Sequence, residues 1–497
     1  MIIKRIEIRE IIRIAAFVAL ILVIFSCQQR KEPQNILFIS VDDLRTELGV
    51  YGNEIIQTPN LDALATEGAL FTNHFVQVPT CGASRYGLLT GRLPSTRAHL
   101  SNNIIESEIA NSPEQQTPES FVHHLKRNGY YTVGIGKISH SADGMVYGYN
   151  EQTSSKRELP YSWDERLFNA GKWGTGWNAF FGYANGENRQ SLKKLVKPYE
   201  AGEVNEEGYP DGLTANLAIE KLMELKNKKQ PFFLGVGFFK PHLPFTAPKK
   251  YWDLYDESTI PLAPFDSLPS MGSPLSLHGS GEFNQYQLGE EKASLNHPVS
   301  DAYARKLRHA YFACVSYIDE QVGKIMEQLE TLGLAENTIV VVWGDHGWHL
   351  GDHSVWGKHT LFDRALKSTF IIKNPKYKAG QRVEQVVSTI DIYPTILEML
   401  NLEQEMTLDG SSLVTILKNP KNQVKDKVSY SYFKNGISMR TKHYRFTRYF
   451  RKNGIEMELY DLNSDPNETR NIAEQHPNLI RELLPLWEKG NTGLFRK

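Results

Sequence analysis

Residues 35–43 read "NILFISVDD", an apolar, β-rich run that ends in Asp42 and Asp43. A short apolar run closed by polar residues suits a strand buried on both faces. The pattern recurs at "YYTVGIGK" (130–137), "QPFFLGVGFFK" (230–240) and "NTIVVVWGDHG" (337–347). Between these runs lie helical patterns: "TPNLDALATEGALF", "TPESFVHHLKRNG", "TANLAIEKLMELKNKK" and "HAYFACVSYIDEQVGKIMEQLETLGL". In the last, Tyr311, Val315, Ile318, Val322, Ile325 and Leu329 repeat at helical spacing. Strands alternating with helices predict an α/β fold, a mostly parallel sheet sandwiched by helices.

Polar residues follow each run directly: Asp42 and Asp43, Lys137 and His140, Lys240 and His242, Asp345 and His346. Ligands of an open α/β sheet bind beyond the C-terminal ends of its strands. Four separate segments are therefore expected to deliver chemistry-bearing side chains to one rim. Taken alone, Asp42-Asp43 also suits a turn that caps a helix. His346, His349 and His353 could suggest zinc. Their spacing straddles glycines rather than one helical face, which assigns His349 and His353 to supporting or surface positions.

With 497 residues, the chain exceeds one average domain, so a large core with a smaller companion is expected. The large domain is assigned to 35–375. Shorter elements after it, including the alternating "VSYSYFKNGISMRTKHYRFTRYF", predict a C-terminal α+β subdomain, 376–497, with an antiparallel sheet. The Ser-, Pro- and Gly-rich "DSLPSMGSPLSLHGSGEF" (266–283) reads as a long loop and a candidate lid. Lys+Arg 56 against Asp+Glu 57 gives no basic surplus, which argues against a nucleic-acid partner. Trp163, Trp173, Trp177, Phe180, Phe181 and Tyr183 form a cluster that suits either sugar stacking or core packing. Lys193, Lys194 and Lys197 suit either a uronate carboxylate or a solvated face.

At the N-terminus, Lys4, Arg5, Arg9 and Arg13 precede the apolar run 14–26, which is short for a membrane span and ends at Cys27. This resembles a lipoprotein signal peptide (1–26), with Cys27 as the lipidated residue and 27–34 as a linker. An ordinary signal peptide or an anchor helix are the alternatives. The lipoprotein reading implies export to a Gram-negative envelope, facing the periplasm or the cell surface, with the lipid in the outer or inner membrane.

Two cysteines remain. Cys314 suits a small hydrophobe on its helix, and a Cys81–Cys314 disulfide is conceivable. Cys81 opens "CGASRYGLLTGR" (81–92) and could be a buried thiol, half a disulfide, a thiolate nucleophile or a precursor.

This segment resembles the signature of type I, formylglycine-dependent sulfatases, Cys-x-Pro/Ala-Ser-Arg, matched by Cys81, Ala83, Ser84 and Arg85. "ISVDDLR", "TPNLDALATEG", "GKISH", "KPHLPF", "GDHGWHLGDH" with "WGKH", and "LYDLNSDPNE" follow the family's order over nearly the whole mature chain. "GKISH", "KPHLPF" and the Asp-His pair resemble the iduronate-2-sulfatase branch. The resemblance implies an alkaline-phosphatase/sulfatase-like fold. It also implies hydrolysis of a sulfuric ester on a polysaccharide or oligosaccharide, an algal glycan such as ulvan or a uronate-2-sulfate glycan.

It further implies oxidation of Cys81 to Cα-formylglycine (3-oxoalanine) by a formylglycine-generating or anaerobic sulfatase-maturing enzyme. The hydrated aldehyde would attack sulfur with one hydroxyl, and the other would lose its proton as the sulfated adduct collapses. Asp42, Asp43, Asp345 and residue 81 offer hard oxygen ligands, favouring Ca²⁺, with Mg²⁺ as an alternative. His346 is the family-implied further ligand. Arg85 would steady the hydrate, and Lys137 and Lys358 would meet the sulfate oxygens. His140 would be the base for elimination, and His242 the acid or donor at the leaving oxygen. Many members have Pro where this chain has Ala83, which bears on the maturation enzyme that accepts Cys81. Two other activities fit part of the pattern: a phosphoester or phosphonate hydrolase of the same superfamily, and a non-catalytic lipoprotein that binds sulfated glycan.

Overall fold

The computed structural model describes residues 33–109, 118–422, 424 and 427–495. The signal peptide, Cys27 and most of the linker lie outside them.

Strand β1 (Asn35–Val41) lies inside the large sheet and shows why its sequence is mostly apolar. Its side chains alternate between faces. Leu37, Ile39 and Val41 enter one hydrophobic core, while Ile36 and Phe38 enter a second. Both faces are covered, so the run is apolar apart from Asn35 at its start and Ser40, whose hydroxyl accepts from Arg85 at 2.9 Å. The remaining strands of this sheet are β2 (Ala69–Phe71), β3 (Tyr131–Gly136), β4 (Glu165–Leu167), β5 (Phe232–Phe238), β6 (Thr338–Gly344), β7 (Phe370–Lys373) and β8 (Gln381–Val383). Their order is β8-β2-β7-β6-β1-β5-β3-β4. Only β7 runs against its neighbours, pairing antiparallel with β6 and β2. The mostly parallel sheet expected from the sequence is present.

The first core holds α1 (Pro59–Glu67), α5 (Pro210–Leu225) and α6 (Asp301–Thr331) against one face. The second holds α2 (Cys81–Thr90), α3 (Phe121–Arg127) and α7 (Ile392–Leu400) against the other. A further helix, α4 (Gly176–Phe180), borders the site described below. Cys314 is fully buried on α6, and Cys81 and Cys314 are both unpaired thiols. The helical pattern of "TPNLDALATEGALF" stops at Glu67; its last residues are β2, pulled into the sheet between β7 and β8.

The C-terminal antiparallel sheet contains β9 (Ser429–Phe433), β10 (Gly436–Arg440), β11 (Tyr444–Arg451) and β12 (Gly454–Asp461), in that order. Helix α8 (Pro477–Glu488) closes it, with Trp487 buried among Tyr432, Ile437, Met439 and Phe446. The boundary expected at 375/376 does not separate two bodies. Strand β8 belongs to the large sheet and α7 to its second core, and the chain from Asn35 onward is one compact unit. These segments are short in sequence, but their apolar side chains complete the large core.

Candidate active site

Of the polar residues that follow β1, β3, β5 and β6, Asp42, Asp43, Lys137, His140, His242, Asp345 and His346 gather at one rim, whereas Lys240 turns away and donates to the His242 and Pro244 carbonyls at 3.0 and 2.7 Å. Asp42 and Asp43 extend from β1, and the Asp43 N–H donates to Asp345 Oδ1 at 2.9 Å. Asp43 takes a left-handed backbone, φ 58°, which turns the chain sharply at the sheet's rim. Cys81 is the first residue of α2, whose N-terminus faces the same point. Gly82 is required there by packing: a Cβ would lie 2.1 Å from the Asn102 backbone oxygen. The Gly82 N–H donates to Asn102 Oδ1 at 2.9 Å. The helix ends at Gly91 in the left-handed conformation that glycine favours.

Asp42, Asp43, Cys81 and His346 each present a ligand atom, all within 4.8 Å of one another, and all four are buried. His346 Nε2 is 3.3 Å from the Cys81 sulfur, and its Nδ1 is 3.2 Å from Asp43 Oδ1. Lys358 Nζ donates to Asp43 Oδ1 at 3.0 Å and approaches the Cys81 sulfur at 3.2 Å. Lys137 pairs with Asp42. Asp345 is held differently: its Oδ2 receives Arg85 Nε at 3.0 Å and pairs with the other arm of the guanidinium at 2.9 Å. It lies beside the set of four, braced by Arg85 and by the Asp43 backbone.

These side chains are strongly perturbed. Burial raises the Cys81 thiol to about 12, with Asp42 adding to the effect, so a thiolate is disfavoured at neutral pH. Burial also opposes ionisation of Asp42, but Lys137, His242 and Arg85 outweigh it and hold that carboxyl well below its ordinary range. Asp43 is driven the other way by burial, reinforced by Asp42 and Cys81. Burial, and then Lys137, holds His140 well below its ordinary value, so its ring is neutral at pH 7.

The donor set fits a hard divalent cation. Asp42 Oδ1 and Asp43 Oδ2 are buried without a hydrogen-bond partner, and two adjacent carboxylates in that condition call for positive charge between them.

Above Cys81 opens a cavity of about 340 Å³, lined by Lys137, His140, His242, Lys358 and the α4 aromatics Trp177 and Phe180. Both His242 nitrogens face acceptors: Nδ1 is 2.6 Å from the Leu243 carbonyl oxygen, and Nε2 is 3.2 Å from Glu282 Oε1. Burial, and then Lys358, lowers His242 to about 4, so at pH 7 its ring is neutral and offers one N–H to these two acceptors.

The sulfatase family model matches residues 34–402, most of the chain. The chain belongs to the sulfatase family. A model of the N-sulphoglucosamine sulphohydrolase C-terminal region matches 351–485. A sulfatase of Formosa agariphila is 30% identical, spanning 90% of this chain and 84% of its own. Iduronate 2-sulfatase of Mus musculus is 30% identical over 91% of this chain and 93% of its own. A solved structure described in complex with D-glucosamine-2-N,6-O-disulfate superposes with a TM-score of 0.69 at 20% identity, covering 92% and 97% of the two chains. This protein is a sulfatase, and the α/β architecture above is the alkaline-phosphatase/sulfatase-like fold.

Sequence reasoning missed several residues of this sulfatase's cavity. Glu282 comes from the 266–283 loop, expected to be a lid. The loop is instead bonded into the body: His278 Nε2 lies 3.0 Å from the Lys358 carbonyl oxygen, and the Trp356 N–H donates to Ser280 Oγ at 2.9 Å. Arg189, His359 and Asn102 also line the cavity from irregular segments. His349 and His353 are not at the surface. Both are buried, with His349 bonded to Asp352 and Thr360 and His353 to the Asn467 carbonyl. Trp163, Trp173, Trp177, Phe180, Phe181 and Tyr183 are all buried; Trp177, Phe180 and Phe181 border the cavity, while Trp163, Trp173 and Tyr183 pack elsewhere.

Proposed function

We propose that this sulfatase removes sulfate from a sulfated polysaccharide or oligosaccharide, such as the algal glycan ulvan or a glycan bearing uronate 2-sulfate, using Cys81 after its oxidation to formylglycine. The observation that carries the reading is the convergence of Cys81, Asp42, Asp43 and His346 with Lys137 and Lys358 at the floor of one cavity. The oxidised and hydrated residue 81 would supply an oxygen nucleophile, and a Ca²⁺ or Mg²⁺ ion held by Asp42, Asp43, His346 and residue 81, with Asp345 beside them, would neutralise the sulfuryl oxygens.

The chain's other residues have roles consistent with their surroundings. Lys137 and Lys358 carry positive charge to the sulfate, and neighbouring carboxylates keep both ammonium groups protonated despite burial. Arg85 holds Asp345 and stands beside residue 81 at the sheet's rim. His140 is neutral and its Nδ1 has no partner, so it can accept a proton. The neutral His242 ring at the cavity wall can donate its single N–H to the leaving oxygen as a hydrogen bond. A high thiol pKa argues against direct attack by unmodified Cys81. The support for a glycan is the sugar-sized cavity with aromatic walls, together with the similarity to iduronate 2-sulfatase. We also propose that Cys27 anchors the enzyme to the bacterial envelope, on the strength of the leader sequence.

The test is expression with a formylglycine-generating enzyme, mass spectrometry of the peptide over Cys81, and ion chromatography of sulfate released from defined sulfated oligosaccharides. An aldehyde at position 81 accompanied by sulfate release is expected. Equal release by protein whose Cys81 remains a thiol would sink the reading.

A further inference from the structure

The cations at the cavity floor are all answered by carboxylates: Lys137 by Asp42, Lys358 by Asp43 and Arg85 by Asp345. Arg189 is different. It is 4% exposed and lines the same cavity, yet among the described residues no carboxylate pairs with it, and its Nε has no hydrogen-bond partner. It is held by packing instead, with Cζ 3.6 Å from the centre of the Phe181 ring and 5.5 Å from that of Tyr286. Lys194 lines the cavity beside it. The Lys194 N–H donates to the Arg189 carbonyl at 2.8 Å, and left-handed backbone at Lys193 and Lys194 folds the turn back on itself. A buried guanidinium without a counter-charge is costly, and none of the described residues supplies one here.

We infer that Arg189, assisted by Lys194, binds a second anionic group of the substrate, a carboxylate or a sulfate carried in addition to the ester that reacts. The inference rests on the sulfated-glycan reading above and narrows it to sugars with at least two anionic groups. The planar guanidinium, stacked on Phe181, presents its donors in the fork that matches either oxyanion. The reacting sulfate occupies the floor between Lys137 and Lys358; the second anion sits on the wall formed by residues 189–194. Arg189 thereby selects and orients the substrate without touching the reacting atoms.

The test uses the full chain with Cys81→Ala, which binds without turnover, and three sulfated disaccharides differing in one group. The first carries a single sulfate and no carboxylate, the second adds a carboxylate, and the third adds a second sulfate instead. Calorimetry on the chain with Arg189 should show the second or third binding ~10-fold or more tightly than the first; which of the two does so identifies the group. Arg189→Gln should reduce that advantage to about twofold or less while leaving the first sugar's affinity unchanged. Arg189→Lys keeps the charge but not the fork, and should retain part of the advantage; it carries the comparison if the glutamine variant melts early. Equal binding of all three sugars with Arg189 present overturns the inference, as does equal weakening of all three by either variant. Sulfate release by the matured parental enzyme is scored separately. Release from none of the three would defeat the proposed function, while the binding ratios still judge Arg189.

Discussion

Two cavities meet at a shared wall made by Asn102, His140, Tyr149 and Trp177, and they differ in charge. The one over Cys81, about 340 Å³, is lined by Lys137, Arg189, Lys194 and Lys358, with Glu282 the single carboxylate among the described residues that line it. The neighbouring one, about 560 Å³, is lined by Glu106, Glu151 and Glu158, with no lysine or arginine among the described residues that line it. An elongated ligand lying across both meets attraction for anions at one end and repulsion at the other. The contrast shows how a site can choose the direction in which a charged chain enters, using side chains that never meet the reacting bond.

Substitutions in the two cavities should therefore fail differently. Cys81→Ala is expected to abolish sulfate release from every substrate, by about 10⁴-fold or more, with folding intact by circular dichroism. Lys358→Ala should lower kcat/KM for a small aryl sulfate and a sulfated oligosaccharide alike, by roughly 10²–10³-fold, because the lost charge faces the sulfate common to both. Titration of Ca²⁺ into metal-depleted protein should raise the melting temperature, by an amount equivalent to ~2.7 kcal/mol at a hundred times the dissociation constant, and Asp43→Asn should remove that rise. In the acidic cavity, Glu151→Gln should leave aryl sulfate turnover within about twofold and strengthen binding of long polyanionic oligosaccharides a few-fold, an effect that fades at high salt. Equal losses on aryl sulfate from Glu151→Gln and Lys358→Ala would break the comparison.

Much of the site was legible because Asp42, Lys137, His242 and Asp345 follow strands whose apolar runs are visible in the sequence. The rule that ligands lie beyond strand ends then gathers them without coordinates. Glu282, Arg189 and His359 escaped because they come from irregular segments, where no periodicity says which way a side chain points. Arg189 also stands beside three lysines that looked like a solvated face; only its burial on Phe181 distinguishes it. The C-terminal boundary was misplaced for a related reason. Strand β8 is three residues long and pairs with a segment more than 300 positions earlier, a contact that local pattern does not encode.

Gly82 has a consequence of its own. The backbone oxygen that excludes a Cβ from position 82 belongs to Asn102, which also forms the partition between the two cavities. A single methyl group at 82 would wedge that partition out of place, and activity would fall although every reactive group was still there. A screen reading only turnover would score such a change as chemical, whereas the damage would be to masonry. The interval between Cys81 and Ala83 is thus set by the thickness of a wall rather than by the needs of the reaction.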